Sequence, residues 1–142
     1  MKRRVLFVCA GDSARSLMAE ALLRHFGGNS YEAVGAGTNV HTVDPRALQA
    51  LERLGVSTEG LIPKVVEDVA NQPFDLVITL CDKSREEYVP SPKVDKMIAW
   101  NFKEPTKRHC FCPFYTTARE LSTRIKLLVL AQAEADLRKR AA

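Results

Sequence analysis

Residues 5–16 read Val5-Leu6-Phe7-Val8-Cys9-Ala10-Gly11-Asp12-Ser13-Ala14-Arg15-Ser16. The apolar run at the start predicts a buried strand, and a helix is expected to begin near Ala14. Five residues separate Cys9 from Arg15, enough for the loop to close so that its N–H groups face an oxyanion. The Arg15 guanidinium would then bind two oxygens of that anion. The predicted oxyanion-binding residues are Ala10, Gly11, Asp12, Ser13, Ala14, Arg15 and Ser16.

Cys9 is the predicted nucleophile of this loop. A free cysteine has a pKa of about 8.5, and an adjacent arginine and helix N-terminus can lower it to roughly 3.5–7.5. A cysteine at a strand end can also be only a small packed residue. The positions of Gly11, Ser13 and Ser16 in the same loop favour the catalytic interpretation.

The strand, the Cys-x5-Arg-Ser loop and a helix containing Met18-Ala19-Glu20 together resemble the low-molecular-weight protein tyrosine phosphatases and the arsenate reductases built on their fold. The resemblance extends from about Val5 to the last helix. It implies an α/β fold with a central four-stranded parallel sheet and helices on both faces, as one domain over residues 1–142.

Two further segments carry the resemblance. A strand ending in Thr79-x-Cys81 is typical of the reductases, which implies arsenate reduction at Cys9, with Cys81 or an external thiol resolving the adduct. Trp100-x-Phe102 followed by Glu104-Pro105 resembles the stretch that carries the general acid, so the resemblance implies that role for Glu104. The alternatives are a phosphatase acting on phosphotyrosine and a catalytically weak oxyanion-binding or sensor module.

The sequence departs from the family pattern at two positions. Asp12 stands where the family usually has Asn, and an ionised carboxylate there would raise the pKa of Cys9 and weaken oxyanion binding. Tyr88 stands where thioredoxin-coupled reductases place a third redox cysteine. We therefore expect no bound cofactor and an external reductant: glutathione or mycothiol with a glutaredoxin-like protein, or thioredoxin. The alternative is that Cys110 and Cys112 replace the missing third redox cysteine.

Cys110-Phe111-Cys112 has three open roles. On an extended segment both thiols point to the same side, yet two thiols without a second pair make a poor zinc site, even with His109 beside them. Redox substitution and plain structural thiols are the other two, and the lack of a partner pair favours structural thiols. We expect no metal site.

The charge and the apolar content of the sequence limit which kinds of partner are expected. The net charge of +4 arises from 21 basic and 17 acidic residues that are scattered, which does not indicate a nucleic-acid partner. The longest apolar stretches are well short of the ~18 residues that span a bilayer, so no membrane association is expected. The basic start of the chain precedes only a strand that carries the predicted site, so we expect a cytoplasmic protein. The expected partners are an arsenate or phosphate oxyanion and a thiol-redox protein.

Strands and helices are predicted to alternate along the chain. Asp44-Pro45 predicts a helix start and Gly55 a left-handed cap, while the box from Thr117 to Glu120 predicts the start of the last helix. A further helix is expected over 64–70. Ligands bind beyond the carboxyl ends of parallel strands, so Cys9, Cys81 and the loop after Trp100 should meet. Strands are expected over 5–8, 31–36, 76–80 and 97–100.

Overall fold

A parallel β-sheet forms the centre of the computed structural model, which describes residues 2–11, 14–39 and 42–141. The strands pair in the order β2-β1-β3-β4, so β1 and β3 are central. All four predicted strands are present, and each begins earlier or ends later than predicted. Their bounds are β1 (Arg3–Gly11), β2 (Tyr31–Asn39), β3 (Phe74–Thr79) and β4 (Val94–Ala99).

Side chains alternate across β1 and build a core on each face of the sheet. Phe7 points to the core shared with the longer helices, where it joins Leu22, Leu51 and Leu121. Val8 points to the opposite core, which contains Tyr88. The expected fold, a four-stranded parallel sheet with helices on both faces, is confirmed. The helices are α1 (Arg15–Gly27), α2 (Pro45–Arg53), α3 (Asp82–Glu87) and α4 (Pro113–Ala141).

Helix α2 forms where its local signals predict. The Asp44 carboxylate accepts a hydrogen bond of 2.9 Å from the Arg46 N–H, and Pro45 occupies the first helical position, where it loses no intrahelical bond. Gly55 has φ +73°, a left-handed conformation that glycine adopts without a Cβ penalty. These signals set where α2 begins and where the chain turns after it.

The helix predicted over 64–70 is wrong. Only a 3₁₀ turn, Val66–Asp68, forms there. The carbonyl of Lys64 accepts a hydrogen bond of 2.9 Å from Gly37 N–H, and Val65 forms a parallel bridge with Gly37. Because the backbone here pairs with the end of β2, it is extended and cannot continue a helix.

Helix α4 begins one turn earlier than predicted. Its first residue is Pro113, and Thr117 lies inside the helix, where its hydroxyl donates to the Pro113 carbonyl at 2.8 Å. The capping box predicted at Thr117 is therefore wrong. On α4, Leu121 and Ile125 are fully buried, whereas Ala131 is exposed. The second half of α4 thus extends past the core.

Within the residues described, none of the helices is both long enough and apolar enough to span a membrane.

Candidate active site

Cys9 lies at the carboxyl end of β1 and is fully buried. Its Sγ is 2.6 Å from the Gly11 carbonyl oxygen and 2.9 Å from the Ser16 Oγ, on the first turn of α1. Residues on both sides of positions 12 and 13 therefore contact the sulfur. Two of the predicted oxyanion-binding residues, Asp12 and Ser13, lie outside the described residues. The effect expected of the Asp12 carboxylate on the pKa of Cys9 therefore stays a prediction.

The N-terminus of α1 faces the same loop. Ala14 is its N-cap, and the Ala14 carbonyl accepts the first helical bond, from Met18 N–H at 2.8 Å. The first turn, Arg15–Met18, contains no acidic residue. The partial positive charge of this helix end is thus not offset by a carboxylate of its own turn, which favours an anion at the loop.

Arg15 is buried, with 7% of its surface exposed. Its Nη1 donates to the Phe102 carbonyl at 2.9 Å, and its Nη2 donates to the Glu104 carboxylate at 3.1 Å. Both partners belong to the loop that follows β4. The guanidinium therefore joins the Cys9 loop to the segment that the sequence assigns to the general acid.

Cys81 lies directly after β3 and is the N-cap of α3. The Ser84 N–H donates to Cys81 Sγ at 3.4 Å, and the Ser84 hydroxyl is 3.3 Å from the same sulfur. Burial acts to raise the pKa of the Cys81 thiol, but the two Ser84 hydrogen bonds, the Arg15 charge and a bond from the Ala10 backbone together lower it. The thiolate, which is the nucleophilic form, is therefore reached at lower pH at Cys81 than at an ordinary cysteine.

A cavity of about 490 Å³ joins these elements at the carboxyl edge of the sheet. The wall of this cavity includes Arg15, Cys81 and Glu104, so the predicted meeting of the three loops is found. A tetrahedral oxyanion would fill only part of it. The remaining lining residues are Ala10, Lys83, Asn101, Phe102, Lys103, Thr106 and Lys107.

Ser84 and Lys83 belong to the candidate site but were not predicted from the sequence. Ser84 follows Cys81 by three residues, which is the spacing of an N-cap and its N3 partner, so the signal was present. Lys83 carried no such signal, because its place depends on how α3 lies against β1. Two further lysines, Lys103 and Lys107, also line the cavity, and their positive charges favour the approach of an anion.

Cys110 and Cys112 lie away from this cavity wall, just before α4. Cys110 is exposed, and its sulfur is 3.9 Å from Thr116 Oγ1. Cys112 is partly exposed, and Arg53 Nη1 donates to its sulfur at 3.7 Å. In the described ranges, no set of three or more His, Cys, Asp or Glu side chains is grouped as metal ligands would be.

Tyr88 occupies the second core and is buried among the residues under β1. Burial raises the pKa of its hydroxyl. Tyr88, at the position where the resemblance implies a third relay cysteine in thioredoxin-coupled reductases, is therefore a packed aromatic residue. A thiol there would lie in the apolar core.

The chain belongs to the low molecular weight phosphotyrosine protein phosphatase family, whose model matches residues 4–135. It is 30% identical over 125 residues to an arsenate reductase of Brevibacillus brevis, covering 88% of this chain and 92% of the relative. The crystal structure of an arsenate reductase from Archaeoglobus fulgidus superposes with a TM-score of 0.75 at 31% identity, covering 88% of this chain and 98% of that one. The resemblance to arsenate reductases of this superfamily is thereby confirmed.

Two further structures widen the comparison. A thioredoxin-dependent arsenate reductase from Corynebacterium glutamicum is 25% identical, with a TM-score of 0.76, and the match covers 94% of this chain and 63% of that one. The tyrosine phosphatase Wzb from Escherichia coli K30, solved with sulphate, has the same fold at 22% identity and a TM-score of 0.76, covering 93% of this chain and 99% of that one. Reductases and phosphatases thus share this architecture.

Proposed function

We propose that this protein is an arsenate reductase that uses Cys9 as its nucleophile. The observation that carries the proposal is Cys81, a second thiol on the wall of the Arg15 cavity whose pKa is lowered by Ser84 and Arg15. A cysteinyl phosphate is hydrolysed by water alone, whereas reduction of arsenate requires a second thiol. The similarity to arsenate reductases at about 30% identity supports the same function.

In the first step, arsenate binds in the loop from Cys9 to Ser16 and replaces Glu104 at the edge of the Arg15 guanidinium. The Cys9 thiolate attacks arsenic, and an As–S bond forms as an As–O bond breaks. The departing hydroxyl group of arsenate takes a proton from the carboxylic acid form of Glu104 and leaves as water. Ser16 Oγ lies 2.9 Å from Cys9 Sγ, and once Cys9 is ionised its sulfur can only accept, so the Ser16 hydroxyl donates to the thiolate and stabilises it.

In the second step, the Cys81 thiolate attacks Cys9 Sγ. A Cys9–Cys81 disulfide forms, and the electron pair of the S–As bond goes to arsenic, which is reduced from As(V) to As(III) and leaves as arsenite. The two cysteines supply both electrons. The enzyme must then be reduced before it can act again.

The reductant in this proposal is an external thiol system. Tyr88 is buried where a third relay cysteine would lie, so the disulfide is not passed to that position. We propose glutathione or mycothiol with a glutaredoxin-like protein, and the alternative is thioredoxin, as in the Corynebacterium relative. Cys110 and Cys112 are the internal alternative. A cytoplasmic location, where thiols stay reduced, fits this cycle.

The second candidate is a phosphatase, which the family match favours. Cys9 would attack phosphorus, and water would release phosphate with no change in thiol content. A count of free thiols distinguishes the two functions, because only the reductase consumes two thiols for each turnover.

The test compares both activities on one preparation. Arsenate-dependent thiol oxidation and hydrolysis of an aryl phosphate are measured for the wild type, Cys9→Ser, Cys81→Ser and the double mutant at Cys110 and Cys112. We expect Cys9→Ser to lose both activities and Cys81→Ser to lose only arsenate reduction. If the wild type hydrolyses aryl phosphate and oxidises no thiol with arsenate, the reductase proposal is wrong and the phosphatase stands. If only the double mutant loses reduction, Cys81 is not the resolving thiol.

A further inference from the structure

A second cavity lies between α2 and the start of α4 and shares no lining residue with the cavity at Arg15. Its volume is about 270 Å³, close to the lower limit of roughly 300 Å³ for sites that bind small molecules. Two arginines, two aromatic rings and a thiol make up most of its wall. These residues are Arg46, Arg53, Phe114, Tyr115 and Cys112.

Each arginine of this cavity is stacked on an aromatic ring. The Arg46 Cζ lies 4.4 Å from the centre of the Phe114 ring, and the Arg53 Cζ lies 3.9 Å from the centre of the Tyr115 ring. A guanidinium held by its face keeps its N–H edge available for a carboxylate. Arg46 is already paired with Asp44, at 2.8 Å.

Arg53 differs from Arg46, since it forms no ion pair with a carboxylate among the described residues. Its Nη1 donates instead to Cys112 Sγ, at 3.7 Å. The cavity therefore has an uncompensated positive charge directly beside a sulfur. Cys112 is partly exposed, so a small molecule can reach that sulfur.

We propose that this cavity binds the disulfide form of a small thiol compound that carries carboxylates, and that Cys112 forms a mixed disulfide with one half of it. A carboxylate of the ligand lies on the edge of Arg53, and its apolar part lies against the rings of Phe114 and Tyr115. This modification site is separate from the chemistry at Cys9 and does not depend on it.

The reaction is a thiol–disulfide exchange with an oxidised, acidic low-molecular-weight disulfide. The Cys112 sulfur attacks one sulfur of that disulfide, a new S–S bond forms, and the original S–S bond breaks. The second half of the disulfide leaves as a thiolate and takes the proton that Cys112 gives up. Cys112 is oxidised and the leaving thiol is reduced, so electrons and protons balance.

Glutathione disulfide serves as the acidic probe and bis(2-hydroxyethyl) disulfide as the neutral one. The reduced full chain is treated with each, and peptide mass spectrometry follows modification of Cys112 against Cys110, an exposed thiol outside the cavity. We expect the ratio of Cys112 to Cys110 modification to be about fivefold higher with the acidic probe, as a single partly exposed ion pair would give. An equal ratio with both probes would overturn the proposal.

Two further measurements locate the effect. Arg53→Gln should remove the preference for the acidic probe, whereas Arg138→Gln, which loses the same charge near the far end of α4, should keep it. In the wild type, S-methylglutathione, which has the carboxylates but no free thiol, should slow modification of Cys112 and not of Cys110. This second measurement needs no variant. A preference that survives in Arg53→Gln, or no protection by S-methylglutathione, would contradict the proposed site.

Discussion

Arg15 and Glu104 are 89 residues apart in the chain and form an ion pair of 3.1 Å at the edge of the candidate site. The Arg15 side chain is almost fully buried, while that of Glu104 is 35% exposed. An oxyanion that binds the same guanidinium edge must displace this carboxylate. The displaced Glu104 then lies beside the bound anion, where a general acid is needed.

Glu104→Gln should separate binding from turnover. Because the variant removes a carboxylate that competes for Arg15, phosphate should bind several-fold more tightly, as measured by calorimetric titration. Loss of the general acid should slow arsenite formation by about 10²-fold. The matched control is Glu59→Gln, which carries the same change in the loop after α2. Unchanged or weaker phosphate binding by Glu104→Gln would show that the ion pair does not compete with the ligand.

Arg15→Lys keeps the positive charge but replaces the planar, two-pronged guanidinium with a single ammonium group. A lysine cannot donate to the Phe102 carbonyl and to an oxyanion in the planar geometry of a guanidinium. We expect phosphate affinity to fall by about tenfold or more, since one bidentate, charge-assisted contact is lost. Calorimetry on the two proteins decides this, and equal affinity would mean that charge alone holds the anion.

Ser84→Ala should raise the pKa of Cys81, because it removes the side-chain hydrogen bond, the largest of the effects that lower that pKa, and keeps only the bond from the backbone N–H. Because Cys81 reacts as the thiolate, the rate of its step rises with pH through the pKa of Cys81. A lowered pKa places this rise at lower pH. In Ser84→Ala the rise should move to higher pH. Ultraviolet thiolate absorbance in a background lacking Cys9, Cys110 and Cys112 gives the pKa directly.

Ser57→Ala, an exposed serine in the loop after α2, is the control for the Ser84 variant. Attack of Cys9 on arsenate should be unaffected by Ser84→Ala, whereas release of arsenite should slow. If the Cys81 titration is the same in both variants, Ser84 does not tune this thiol.

Sequence reasoning succeeded where the signal was local. The start of α2 at Asp44-Pro45 and its end before Gly55 depend on residues within one or two turns, and the structure confirms both. The strands around Cys9 and Cys81 were likewise predicted from short apolar runs. Because parallel strands place their carboxyl ends at one edge, residues at the ends of β1 and β3, Ala10 and Cys81, line one cavity.

The error at residues 64–70 came from an interaction between distant residues: the Lys64 segment pairs with Gly37 on β2, which no window around residue 64 reveals. The error at α4 is local. Thr117 has the residue pattern of a cap, but the helix starts at Pro113 and the Thr117 hydroxyl donates to the Pro113 carbonyl one turn back. The contact of Arg15 with Glu104 depends on how the loop after β4 folds over the site. The predicted roles of the individual site residues stay predictions.

Tyr88→Cys should not restore a three-cysteine relay. The substitution removes most of a buried ring from the second core, which costs about 3 kcal/mol of the free energy of unfolding and lowers Tm by on the order of 10 °C. Tyr88→Phe, which keeps the ring, is the control and should lose much less. Differential scanning calorimetry measures both. Wild-type stability together with faster thioredoxin-dependent turnover in Tyr88→Cys would contradict the burial of this position.

In the proposed cycle, Cys9 and Cys81 together supply the two electrons that reduce arsenate. The most direct test of this step is a single turnover with fully reduced protein, arsenate and no external reductant, followed by arsenic speciation and disulfide mapping. We expect one arsenite for each two thiols lost and a disulfide that joins Cys9 to Cys81. Arsenite formed without that disulfide, or two thiols lost elsewhere in the chain, would contradict the proposed cycle.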